Sequence, residues 1–136
     1  YIDMVCILCD SRTKTSNTRT MSRGYQKWRR HTCLRCSAVF TTREVADMSI
    51  SYRFQQLDGT LVAFSRDAVF LSILDAVRHL PENISIAGEL TATIIAQIQD
   101  QKRLLVTREN VIEACTDALR HYNIGSSQIY RSQHQL

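Results

Sequence analysis

The sequence predicts an α+β chain with two modules: a small N-terminal module of short antiparallel strands, and a C-terminal module built from a β-hairpin and helices. Two observations indicate this division. The first 45 or so residues hold few large aliphatic side chains, no 3.6-residue period, and four cysteines in two close pairs. The remainder has an Asp-Gly turn between strand-like runs, followed by apolar residues at helical spacing.

The N-terminal module, residues 1–46, contains threonine- and serine-rich stretches that are typical of strands. These are RTKTSNTRT and SAVFTTRE. A segment with so few aliphatic side chains cannot bury enough apolar surface to fold alone. We therefore expect a covalent or metal cross-link to hold it together.

The C-terminal module, residues 49–136, begins with a predicted hairpin. The runs SISYRFQQL and TLVAF flank Asp58 and Gly59, a strong tight-turn dipeptide. Ser65 is predicted to cap a first helix that extends to about Leu80 and is stopped by Pro81.

Two further helices follow in this module. The apolar spacing predicts one from Ile86 to Gln101, and another that Thr107 caps and Gly125 ends. The last residues, SSQIYRSQHQL, are predicted to form a short turn or helix. The predicted fold is thus a hairpin with helices on a real hydrophobic core.

The four cysteines of the first module are spaced as two Cys-x-x-Cys knuckles with 23 residues between them: Cys6, Cys9, Cys33 and Cys36. Two such knuckles in a segment without a core favour one tetrahedral zinc ion bound by four thiolates, and hence a structural site, over a redox pair. His31 is a possible substitute ligand, but its position in a basic strand favours a bystander role. Cys115 lies on an apolar helical stripe and is interpreted as a core residue.

Positive charge is concentrated in the first module. The net charge of the chain is +4, but residues 11–43 carry nine basic side chains and no acidic one, whereas from Val45 onward 8 basic residues face 10 acidic ones. Such asymmetry predicts a polyanion partner, although a solvated basic face is the plain alternative. We expect five of these cations to contact double-stranded DNA: Arg12, Lys27, Arg29, Arg30 and Arg43.

Side chains alternate along the predicted strand YQKWRRH. Lys27 and Arg29 should share one face, and Trp28 and Arg30 the other. A basic strand with an interleaved aromatic side chain can lie on phosphates and present arginines to base edges. Trp28 is equally well interpreted as the packing plug of a small ribbon.

Several motifs together resemble the bacterial ribonucleotide-reductase repressor family, NrdR. A basic run precedes the second knuckle and a Phe-Thr-Thr segment with a glutamate follows it, at Arg29, Arg30, Phe40, Thr41, Thr42 and Glu44. The hairpin with Asp58-Gly59, then Phe64 and a helix, is similar to the ATP-cone that follows the ribbon in that family. The closing segment matches at Ile129, Tyr130 and Arg131.

The resemblance implies a transcriptional repressor. Its zinc ribbon would bind operator DNA, and its cone would bind ATP or dATP and set a homo-oligomeric state. The family's basic residues before Asp-Gly correspond here to Gln56 and Leu57, and its first-helix lysine to Ala68, so the nucleotide-site positions read Gln56, Leu57, Asp58, Gly59 and Ala68.

The loss of cations at those positions predicts weak nucleotide binding. Each charge-assisted hydrogen bond to a phosphate is worth about 1.5–3 kcal/mol. A family Lys-Arg-Pro stretch is likewise represented by His79, Leu80 and Pro81. We therefore expect ATP and dATP to bind weakly or not at all, and assembly to depend on contacts between cones.

Other function classes fit the sequence less well. An enzyme is not expected, since there is no nucleophile–base pairing, no glycine-rich phosphate loop and no open metal position. The alternative function is a zinc-ribbon interaction or oligomerisation module whose degenerate cone binds no nucleotide. No apolar run approaches the roughly 20 residues of a membrane span, and the first residues carry no secretory signal pattern, so we expect a cytoplasmic protein.

Overall fold

A computed structural model of the 136-residue chain describes residues 4–21 and 25–134. The chain divides into two compact units, Tyr1–Ala46 and Asp47–Leu136. The first holds an antiparallel sheet, and the second holds helices with a small mixed sheet. The predicted α+β fold class is therefore confirmed.

The first unit is a three-stranded antiparallel sheet in the order β1-β2-β3. Its strands are β1 (Thr13–Met21), β2 (Gln26–Cys33) and β3 (Val39–Val45). Threonine and other β-branched residues favour the extended backbone of these strands. A bulge between Thr15 and Asn17 shifts the register of β1 against β2.

The small interior of this sheet is filled by His31 rather than by Trp28. The side chain of His31 is 1% exposed, donates or accepts a 2.7 Å hydrogen bond with Thr42 Oγ1, and stacks on Phe40 with ring centroids 5.1 Å apart. Trp28 is only half-buried. The interpretation of Trp28 as the packing plug is therefore wrong, because the alternation of the strand directs it to the other face.

The second unit opens with a short helix where the sequence suggested the start of a strand. Helix α1 (Met48–Ser51) is capped by the carboxylate of Asp47, which accepts a hydrogen bond from the backbone N–H of Ser49. Strands β4 (Arg53–Gln55) and β5 (Leu61–Ala63) then form the predicted hairpin. A third strand, β6 (Leu105–Thr107), was not predicted; it pairs parallel to β4.

Helix α2 (Arg66–Val77) begins after Ser65, whose hydroxyl accepts from the backbone N–H of Ala68 as the sequence indicated. The helix ends at Val77, short of the predicted Leu80. Helix α3 (Asn83–Asp100) starts three residues earlier than predicted, directly after Glu82, which has a left-handed φ of 56°.

Helices α4 (Arg108–Tyr122) and α5 (Ile124–Gln133) complete the unit. Thr107 caps α4 in a reciprocal capping box with Asn110. The prediction that Gly125 ends this helix is wrong. Asn123 separates the helices and caps α5 through its side chain, so Gly125 lies inside α5.

The core of the second unit is formed by one cluster of buried side chains. Helices α2 and α3, α3 and α4, and α4 and α5 pack against one another around it. Its most deeply buried large members are Phe64, Ile73, Ile94, Ile98, Leu119 and Tyr130. In the part of the chain that the structure describes, no helix is both long and apolar enough to cross a bilayer.

Candidate metal centre and nucleic-acid-binding face

The four cysteines of the knuckles converge on one point. The sulfur atoms of Cys6, Cys9, Cys33 and Cys36 all lie within 4.8 Å of one another. Two of the pairs are 3.6 Å (Cys6–Cys36) and 3.5 Å (Cys9–Cys33) apart. Four sulfurs at about 2.3 Å from a tetrahedral zinc would be separated by about 3.8 Å. The cluster therefore fits one zinc ion.

The backbone builds each knuckle in the same way. The residue after the second cysteine has a left-handed backbone, with φ of 62° at Asp10 and 64° at Ser37, which turns the chain back toward the sheet. Backbone N–H groups within each turn point at the first sulfur. Leu8 donates to Cys6 Sγ at 3.4 Å, and Arg35 donates to Cys33 Sγ at 3.3 Å.

Hydrogen bonds donated to sulfur favour the thiolate form that a metal requires. The pKa of Cys9 is lowered to about 6, chiefly because Ser11 hydrogen-bonds its sulfur. The N–H of Cys36 lowers the pKa of Cys33. At Cys36 the N–H of Ala38 acts in the same direction, but the neighbouring thiols raise its pKa to about 12. A divalent cation at the centre would offset the repulsion between the neighbouring thiolates.

Among the described residues, no histidine or carboxylate belongs to this metal-ligand cluster. His31 is buried against Phe40 instead. Cys115 is fully buried in the other unit, where burial raises the pKa of its thiol to about 11. The prediction that Cys115 is a core residue is therefore confirmed.

The strand register divides the predicted DNA contacts between two faces of the sheet. Residues that pair directly across antiparallel strands project to the same face. Trp28 pairs with Arg19 on one side and Arg43 on the other, and the guanidinium carbon of Arg30 lies 5.4 Å from the Trp28 ring centroid. Lys14, which pairs with Thr32, belongs to the same side of the sheet.

We call this side the tryptophan face, defined by Trp28 and four cations: Lys14, Arg19, Arg30 and Arg43. No acidic residue of β1, β2 or β3 projects from it within the described residues. It combines one partly exposed aromatic ring with positive charge from all three strands. That is the composition expected of a surface that binds a nucleic-acid backbone.

Lys27 and Arg29 project from the opposite face. Arg29 Nη2 lies 3.6 Å from the carboxylate of Glu44, and Lys27 pairs with the same glutamate across the strands. Arg12 sits apart from both groups, beside the second knuckle, where its carbonyl accepts from the N–H of Leu34 at 3.0 Å. The structure thus does not bring the five predicted DNA contacts onto one surface. Arg23, another cation of the basic window, lies outside the described residues.

The predicted nucleotide-site residues are spread along the hairpin and the first long helix. Gln56, Leu57, Asp58 and Gly59 are exposed in the turn between β4 and β5, and Ala68 is exposed in the first turn of α2. Asp58 accepts from the N–H of Thr60, and this bond lowers the pKa of its carboxyl. It shapes the turn.

A cavity of about 380 Å³ lies beneath this hairpin. Gln56 and Ala68 are among the residues that line it, together with Arg108, Tyr130 and His134. Arg108 is the one lysine or arginine in that lining, and its Nη1 atom is buried without a hydrogen-bond partner. Arg53, Arg66, Arg78 and His79 are other basic or titratable side chains of this unit, and they do not line the cavity.

Arg108 was missed from the sequence because its position depends on β6. The Thr107 capping box gives Arg108 the first position of α4, and the parallel pairing of β6 with β4 brings that helix start beside the hairpin. The capping signal was visible in the sequence, but the parallel pairing was not.

Comparison with known proteins identifies the family to which the chain belongs. No protein-family model matches the chain. The chain is 30% identical over 118 residues to the transcriptional repressor NrdR of Halorubrum lacusprofundi, an alignment that covers 86% of this chain and 72% of that relative. The match extends across most of both units. On this evidence, the chain belongs to the NrdR family of transcriptional repressors.

Proposed function

We propose that this protein is a zinc-ribbon repressor that binds double-stranded DNA through the tryptophan face and acts in the cytoplasm on ribonucleotide-reductase genes. Family membership supports the repressor function. The observation that carries the DNA-binding part is the tryptophan face itself, with its four cations and Trp28. Arg30 and Arg43 are the predicted contacts that lie on it.

One structural zinc ion per chain would hold the ribbon together. The four sulfur atoms have the spacing of a tetrahedral thiolate site. Four protein thiolates complete the coordination shell, so the metal has no open position for a substrate. Its contribution is to fix the two knuckles and, through Cys33, the end of β2 from which Arg30 projects.

Lys27 and Arg29 have a secondary role in this proposal. A rigid sheet can lay only one face on a duplex, and Glu44 offsets the positive charge on their side. Their contribution would be long-range attraction, which salt screens. Arg12, near the second knuckle, would contact DNA from the edge of the sheet.

Nucleotide control is proposed to be weak. The triphosphate of ATP or dATP carries several negative charges, whereas the cavity beneath the hairpin offers the single guanidinium of Arg108. Gln56 and Ala68 line the same cavity as uncharged side chains. Homo-oligomers would then form through contacts between cones, whichever nucleotide is present.

The test of function is to recover bound DNA. Purified, zinc-loaded protein is mixed with fragmented DNA from its source, and the retained fragments are sequenced. We expect fragments upstream of ribonucleotide-reductase genes to be enriched, and the Arg30→Glu/Arg43→Glu double variant to lose the enrichment. The Arg53→Glu/Arg66→Glu double variant, which reverses two exposed arginines of the second unit, is the matched control and should retain it.

Retention of no specific DNA by a folded, zinc-loaded wild type would contradict the proposal. If the protein instead captured a protein partner with the charge-reversal variant unaffected, the interaction-module alternative would be favoured.

A further inference from the structure

Three aliphatic side chains project from the two knuckles into solvent. Ile7 and Leu8 occupy the middle of the first knuckle and are 65% and 75% exposed, and Leu34 occupies the second and is 65% exposed. Because the four sulfurs hold the two turns together, these side chains are brought to the same end of the ribbon. We call Ile7, Leu8 and Leu34 the knuckle tip.

The tip cannot bury these side chains within its own unit. Ile7, Leu8 and Leu34 lie in tight turns between ligating cysteines, and two of their backbone N–H groups are already engaged: Leu8 donates to Cys6 Sγ, and Leu34 donates to the carbonyl of Arg12. Exposed apolar surface is unfavourable in proportion to its area. A neighbouring cluster of such side chains on a rigid turn is a feature of contact surfaces.

The charges around the tip indicate what covers it. Arg35 follows Leu34 directly and is exposed, and Arg12 is exposed and hydrogen-bonds through its carbonyl to the N–H of Leu34. Among the described residues at this end, Asp10 is the acidic one, and it is also exposed. The tip therefore consists of aliphatic side chains flanked by two arginines, in a segment where cations outnumber acids.

Duplex DNA has the matching arrangement, since phosphates border its grooves and the faces of its base pairs are apolar surfaces that a wedge reaches by partly unstacking a base step. Leucine and isoleucine are among the side chains that enter grooves and partly unstack base steps. An apolar protein surface, by contrast, would cover the aliphatic groups but leave Arg12 and Arg35 without counter-charges.

We infer that the knuckle tip is a second DNA contact of the ribbon, in which Leu8 and Leu34 press against base pairs as an apolar wedge while Arg12 and Arg35 bind the flanking phosphates. This inference rests on the proposed DNA-binding function. The apolar part of this contact is independent of counterion release, and it makes the tip a determinant of which base step is bound.

The test compares Leu8→Ser and Leu34→Ser with wild type in the full-length, zinc-loaded protein. Leu104→Ser is the matched control: Leu104 is 64% exposed and belongs to the second unit, outside the ribbon. Affinity for a duplex recovered by the wild type is measured across a salt series.

We expect each leucine variant to bind about tenfold more weakly at every salt concentration, which corresponds to partial burial of one leucine side chain. The slope of log affinity against log salt should be unchanged, since no phosphate contact is lost. Leu104→Ser should match wild type. Duplexes with 2-aminopurine at successive positions should show increased fluorescence at one step on wild-type binding, and not with the variants.

Several results would overturn the inference. Leucine variants with wild-type affinity, or no 2-aminopurine signal at any position for wild-type protein, would remove the wedge while leaving the proposed function in place. If the leucine variants bound DNA normally but formed oligomers of smaller mass than wild type, the tip would be an interface between copies. Absence of DNA binding by wild type would refute both proposals. Leu8→Gln, which keeps side-chain length, provides a second variant if Leu8→Ser loses zinc.

Discussion

Loss of one zinc ligand should unfold the first unit and leave the second intact. The change is Cys33→Ser. Among the described residues of the ribbon, only Cys6, His31 and Cys33 are less than a tenth exposed, so at about 1.5–3 kcal/mol for each large buried side chain the ribbon has little hydrophobic stabilisation. Zinc binding to small thiolate domains supplies about 10–16 kcal/mol. The metal therefore dominates the stability of this unit.

The assay combines zinc content with residue-resolved NMR. Wild type should contain one zinc per chain, and the Cys33→Ser variant much less. Amide resonances of the ribbon should collapse to random-coil positions, whereas those of the second unit should keep their dispersion. Cys115→Ser is the control, because Cys115 lies in the other unit and is not one of the four clustered cysteines, so this variant should retain full zinc.

A Cys33→Ser variant that keeps stoichiometric zinc, or a metal-free ribbon with native chemical shifts, would refute this prediction. The first result would mean that the cluster is not the zinc site. The second would mean that the β1-β2-β3 sheet is stable without the metal.

Three further predictions concern the thiols, the helix caps and the cavity. In zinc-loaded protein at pH 8, we expect no cysteine to react quickly with a thiol reagent, and four cysteines to react once a chelator has removed the zinc. Cys115, whose pKa is raised to about 11 by burial, should react only when the second unit unfolds. Thr107→Ala removes the hydroxyl that accepts from the N–H of Asn110 at 3.1 Å and should lower the unfolding free energy of the second unit by about 1 kcal/mol in chemical denaturation, with zinc content unchanged. Isothermal titration with ATP and dATP should detect weak binding or none; micromolar binding that Arg108→Ala abolishes would show that one guanidinium suffices.

Local signals in the sequence predicted much of the architecture. The two Cys-x-x-Cys pairs indicated the four-sulfur cluster because each short turn fixes two ligands in the sequence itself. Ser65 and Thr107 were recognised as caps because a capping hydroxyl acts within three residues. The alternation of β2 correctly separated Lys27 and Arg29 from Trp28 and Arg30, since that depends only on the period of a strand.

Features that depend on tertiary context were not predictable in the same way. Which face of the ribbon is buried is decided by His31 stacking on Phe40 of a neighbouring strand, and a lone histidine in a basic run gave no sign of this. Gly125 looked like a helix end, but the side chain of Asn123 caps α5 and the glycine lies within it. The parallel β6, and with it Arg108, required a long-range pairing across α2 and α3.

The central claim is that the tryptophan face, and not the opposite face of the same ribbon, binds duplex DNA. The most direct measurement compares the salt dependence of DNA affinity for two double variants, Arg30→Ala/Arg43→Ala and Lys27→Ala/Arg29→Ala. Each removes two cations, but from opposite faces. We expect the first variant to lower the salt slope by about 2 and to bind more weakly at every concentration, and the second to stay close to wild type. An equal or larger loss in the second variant would contradict DNA binding through the tryptophan face.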